Sequence, residues 1–82
     1  MAAREELSEL VGYLARQLVD APDQVAIDVF DEDRSLVFEL RVAEPDLGKV
    51  IGRQGRTARA MRTVLSAAAS RLNTRALLDI VE

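Results

Sequence analysis

The chain has 82 residues, 49% of them apolar and 30% charged, with a formal net charge of −3, a balance that argues against disorder and fits one domain, residues 1–82, with a small core. It has no cysteine and no histidine, which excludes disulfides and thiolate metal sites and removes the commonest general base and metal ligand, so neither an enzyme nor a cofactor is expected. No apolar run approaches the ~20 residues that span a bilayer, and the acidic start, Arg4-Glu5-Glu6, is unlike a signal peptide; the expectation is a cytoplasmic protein with no membrane attachment.

Residues 3–19 read as an amphipathic helix, with Leu7, Leu10, Val11, Leu14 and Leu18 at three- and four-residue steps. Glu5, Glu6 and Glu9 fall in its early turns, where the helix dipole favours anions. Asp20-Ala21-Pro22-Asp23 ends it. Residues 24–30 alternate, with Val25, Ile27 and Val29 facing one way, which is the pattern of a half-buried strand. Asp31-Glu32-Asp33-Arg34 forms a polar turn, and residues 35–43 form a second, antiparallel strand with Leu36, Phe38, Leu40 and Val42 inward. Phe30 and Phe38 are assigned to the core.

Pro45 opens a short helix over 46–51, which Gly52 ends. A long helix follows Gly55 and runs to about residue 72, with Ala58, Met61, Leu65, Ala68 and Leu72 on one face and Arg56, Arg59 and Arg62 on the other. Met61 and Leu65 suit either the core or a dimer face. Asn73 is a plausible C-cap, and residues 76–81 make the last strand, with Leu78 and Ile80 inward. The order α-β-β-α-α-β predicts an α+β domain: a three-stranded mixed sheet with three helices on one face. The helix pair is a crossover that lets the second and third strands run parallel.

Charge is distributed unevenly along this order. Residues 47–78 contain no acid and seven bases: Lys49, Arg53, Arg56, Arg59, Arg62, Arg71 and Arg75. The segment carries +7 and the remainder −10. With a Debye length of only ~8 Å at physiological salt, such local asymmetry matters more than the net charge. At its centre Gly52-Arg53-Gln54-Gly55 joins two helices. Glycine has no Cβ, so a phosphate can come close to the main-chain N–H groups, and the start of the following helix also favours an anion. Arg53 and Gln54 project from the turn as donors.

The run Val50-Ile51-Gly52-Arg53-Gln54-Gly55, between two helices, resembles the K-homology (KH) motif. The element order resembles the type II form of that fold. Residues 46–62, together with the Leu78-Asp79-Ile80-Val81-Glu82 ending, resemble the small bacterial single-KH proteins of the KhpA family. The resemblance covers nearly the whole chain. It implies an RNA chaperone that holds single-stranded RNA by its backbone, about four nucleotides of it, with a role in cell shape and division. It implies RNA contacts by Lys49, Val50, Ile51, Gly52, Arg53, Gln54, Gly55, Arg56 and Arg59, with Val50, Ile51 and apolar residues of the 36–42 strand flooring a groove for the bases. A homodimer is implied, and a heteromer with a larger KH protein of the KhpB (Jag-like) type.

The chain departs from the general KH pattern in having Ala58 where a branched aliphatic is common, and in having one KH unit. Lys49 has two readings, a partner for Asp46 or an RNA contact. Gly48 is read as a backbone or packing accommodation. Asp31, Glu32 and Asp33 read as a solvated turn rather than a metal site. The alternative for the whole chain is a protein-interaction module whose RNA site is vestigial.

Overall fold

The computed structural model describes residues 2–82. Helix α1 (Ala3–Leu18) leads through a 3₁₀ turn (Pro22–Gln24) into β1 (Ala26–Glu32) and β2 (Ser35–Arg41). A second 3₁₀ turn (Glu44–Asp46) precedes α2 (Leu47–Ile51), and a third (Arg53–Gly55) joins it to α3 (Arg56–Arg71); β3 (Arg75–Ile80) completes the sheet. The strand order is β1-β2-β3, with β1 and β2 antiparallel and β2 and β3 parallel. This is the mixed three-stranded sheet expected of a type II KH fold, with the helix pair as the crossover.

Register aligns the core in rows across the sheet. Val29, Phe38 and Leu78 lie side by side, as do Ile27, Leu40 and Ile80. Phe38 and Leu40 are fully buried on the central strand. Leu7, Val11 and Ala15 of α1, and Ala58, Met61, Leu65 and Ala69 of α3, close over these rows. Met61 and Leu65 therefore belong to the core and offer nothing to a partner. The outward apolar residue of α3 is Val64, 44% exposed.

Several expected boundaries and orientations shift. β1 begins two residues later than expected and runs on through Asp31 and Glu32, which leaves a two-residue turn at Asp33-Arg34. Asp33 holds a positive φ of 53° there, which aspartate tolerates better than most residues. Phe30 is not in the core: alternation along β1 points it to the open face of the sheet, where it is 47% exposed. Leu18 and Leu72, expected inward, sit at the ends of their helices and are exposed; Ala15 and Ala69 take the buried places. Asn73 stands one residue beyond the cap, at φ 57°. Its N–H donates to Ser70 and that of Thr74 to Ala69, the paired bonds that close a helix in a Schellman motif.

Phe38→Ala removes the ring at the centre of the Val29-Phe38-Leu78 row and should cost about 3–5 kcal/mol in urea unfolding, whereas Phe30→Ala should cost under about 1 kcal/mol.

Candidate nucleic-acid interface

α2 has only five residues, too few to be stable alone, so its position depends on tertiary anchors. Val50 is fully buried in the core. Asp46, just ahead of the helix, is 2% exposed, and its two carboxylate oxygens accept the backbone N–H groups of Asp20 (3.2 Å) and Ala21 (3.0 Å). The carboxylate thus ties the α1–β1 connection to the start of α2. Burial alone would raise the Asp46 pKa; the two backbone donors and the Lys49 ammonium outweigh it and hold it below the ordinary 3.8. In the sequence Asp46 reads as the start of a short helix and, in one of two readings, as a partner for Lys49. Its backbone donors lie 25 and 26 residues away, and nothing local signals them.

Beyond α2 the chain makes a tight corner. Gly52 has φ 77° and ψ 168°, and a Cβ there would lie 2.2 Å from Thr57 Oγ1. Glycine is therefore required both by backbone angle and by space. Gln54 and Gly55 are successive left-handed residues, at φ 58° and 73°. Gly55 N–H donates to Gly52 O at 3.1 Å. α3 then starts with no side-chain cap and no acid in its first turn, which leaves N–H groups and the positive end of its dipole facing outward beside the loop. A Cβ on Gly55 would meet nothing within 4 Å, so the approach to this turn is open.

The seven bases divide into distinct groups. Arg53, Arg56 and Arg59 are exposed around the loop. Arg59 donates to the Gln54 carbonyl at 2.8 Å, and Arg56 reaches the Gln54 side-chain oxygen at 3.5 Å. These contacts turn a carbonyl dipole that would repel a phosphate into part of a cationic surface. Arg62 donates to Leu78 O at 3.1 Å, at the edge of β3. Lys49 is held by Asp20 at 3.3 Å and by Asp46 at 3.6 Å. The hydrogen bond and charge of Asp20 are the main reasons its pKa is raised above 10.5. The ion-pair reading of Lys49 is thus present in the structure, with one more acid than expected. Arg71 and Arg75 lie at the far end of α3 and on β3, roughly 22 Å of helix from the loop at 1.5 Å per residue.

Of the two apolar residues expected to floor a base groove, Val50 has no exposed surface and Ile51 is half-buried. Leu36, Phe38 and Leu40 of β2 are likewise enclosed in the core. Gly48 departs from its expected role: a Cβ on it would meet nothing within 4 Å, so neither packing nor backbone conformation needs a glycine there.

The family model described as the KhpA/KhpB KH domain matches residues 8–80. The chain belongs to the KhpA/KhpB KH-domain family. Relatives named RNA-binding protein KhpA include that of Treponema pallidum, 46% identical over 82 residues and covering all of both chains. That of Borreliella burgdorferi is 45% identical over 74 residues, 90% of each chain, and that of Clostridium acetobutylicum is 44% identical over 75 residues, 92% of this chain and all of the relative. A KH family of proteins so named is not an enzyme family. A crystal structure of an Aquifex aeolicus Era variant bound to GDP and aluminium fluoride superposes with a TM-score of 0.69 over 98% of this chain and 31% of Era, at 20% identity. That likeness is one of fold. Ala58, the third residue of α3, is buried at 4% exposure.

Two measurements test this anatomy. Gly48→Ala should raise stability by about 0.5–1 kcal/mol in urea unfolding, because an exposed helical glycine carries an entropy penalty and no compensating contact, while Gly52→Ala should lower it. The stabilising effect of the Asp46 charge is present above pH 3.8 and is lost as pH falls through its lower folded-state value. Urea midpoints followed from neutral to acid pH should therefore drop more steeply below pH ~4 for the wild type than for Asp46→Asn.

Proposed function

We propose that the chain is an RNA-binding protein that holds the backbone of single-stranded RNA on the Gly52-Arg53-Gln54-Gly55 loop. The observation that carries this reading is the junction itself. A glycine corner opens onto an uncapped, acid-free helix start, with Arg53, Arg56 and Arg59 exposed around it. Such a junction offers N–H groups, a helix dipole and guanidinium donors to one phosphate path. The named RNA-binding relatives, each matching nearly the whole chain, support the same reading.

Lys49 serves in this proposal through its ion pairs, and Val50 through the core anchor of α2; Ile51 offers the remaining apolar surface beside Gly52. No aromatic side chain stands at the loop, so stacking adds little and binding is modest and tolerant of sequence. That suits a chaperone that visits many transcripts in the cytoplasm, through one KH domain over residues 1–82. A homodimer, or a heteromer with a larger KhpB-type protein, would raise effective concentration on RNA. The outward stripe of Ala60, Val64 and Ala67 on α3 is an apolar surface open to such pairing. Control of cell shape and division would follow through the bound transcripts.

Replacing Arg53 and Gln54 together by Asp puts two negative charges at the phosphate path without touching the core. Binding to a single-stranded RNA oligonucleotide, followed by fluorescence anisotropy, should fall by at least about tenfold, with circular dichroism unchanged. Unaltered affinity in a folded variant would refute the contact and favour a vestigial site. With about three phosphates neutralised, the slope of log affinity against log salt should be about −2, and Lys49→Ala should leave that slope unchanged.

A further inference from the structure

The face of the sheet turned away from the helices has its own organisation. Register places Phe30, Val37 and Leu77 directly side by side across β1, β2 and β3. Phe30 is 47% exposed and Leu77 53%, and Val37 between them is half-buried. The neighbouring row, in the same register, is Asp28, Glu39 and Asp79. Three carboxylates opposite one another across three strands repel and cost stability. Arg41 relieves part of this by pairing with Asp28 and, at 2.8 Å, with Glu39. Asp79 has no ion-pair partner among the described residues.

We infer that this face is a docking surface for a protein segment of definite chemistry: a cationic amphipathic helix laid across the three strands. Its apolar stripe would cover Phe30, Val37 and Leu77, and lysines or arginines beside the stripe would meet Glu39 and Asp79. The dimensions agree. Strands stand about 4.8 Å apart and a helix advances 5.4 Å per turn, so apolar residues at i, i+4 and i+7 meet one strand each. The charge excludes other occupants. In the row on the other side Glu32 and Arg75 stand across Ser35, so the face carries four acids against two arginines and disfavours the phosphates of RNA and anionic lipid headgroups, and the described residues hold no group of carboxylates spaced to bind a metal. An apolar row beside like charges in excess is the complement of a basic, apolar-edged partner. The helix-free face leaves the glycine loop open, so docking and nucleic-acid contact are compatible.

The test is a titration of the ¹⁵N-labelled full chain with a synthetic helical peptide bearing leucines at i, i+4 and i+7 and flanking lysines. A peptide of the same composition with the leucines scattered around the helix controls for charge attraction alone. Amide shifts should centre on Phe30, Val37, Leu77 and Asp79 and spare residues 52–56. Phe30→Ser with Leu77→Ser should weaken binding at least about tenfold. Asp79→Lys, which leaves the apolar row intact, should weaken the lysine peptide and strengthen its glutamate counterpart. A photocrosslinker at position 77 should join the chain in cells to a basic segment of a different protein. Equal binding of the scattered peptide, shifts centred elsewhere, or crosslinks only to RNA or to a second copy of this chain would each overturn the inference.

Discussion

The position of the glycine loop depends on one buried carboxylate. Asp46 accepts two backbone N–H groups from the connection between α1 and β1, and with Val50 in the core it fixes a helix of five residues that could not hold itself. Everything downstream inherits that position: the Gly52 corner, the left-handed pair at Gln54 and Gly55, and the direction in which α3 sets out. An anchor 25 residues away in sequence decides where a four-residue loop points.

Electrostatics around the loop work by subtraction as much as by addition. Seven bases lie in the acid-free stretch, yet Lys49 is held by two acids, Arg62 leans on a strand carbonyl, and Arg71 and Arg75 stand at the far end of α3. What remains around the loop is a compact set of three arginines. The exposed pair of Lys49 with Asp20 contributes little stability, so the larger effect of Asp20 on Lys49 is to confine the cationic surface. A protein with an acidic total thereby keeps a small positive site.

Much of this was legible in the sequence because it follows local rules. Three- and four-residue steps marked α1 and α3, alternation marked β2, and Pro45, Gly52 and Gly55 marked the punctuation of the helix pair. The failures have physical causes too. Phe30 was assigned by its hydrophobicity, but strand alternation outranks residue type and turned it outward. Met61 and Leu65 suited both core and partner until the crossing of α3 over β3 was known. Gly48 looked structural because glycine in a helix usually is, yet space around it is empty. Asp46 and Asp20 carry ordinary local signals, and only the folded chain brings them together.

The loop lies inside the crossover between β2 and β3, and that placement bears on the order of assembly. The β1–β2 hairpin closes through a two-residue turn, whereas pairing β2 with β3 must first bring together chain separated by the whole helix pair. Closure entropy makes the second event slower. The acidic hairpin therefore comes together ahead of the parallel pairing that completes the sheet. Until β3 is seated, Leu36, Phe38 and Leu40 lack their neighbours Ala76, Leu78 and Ile80, and that edge of the central strand stays open to wrong pairing.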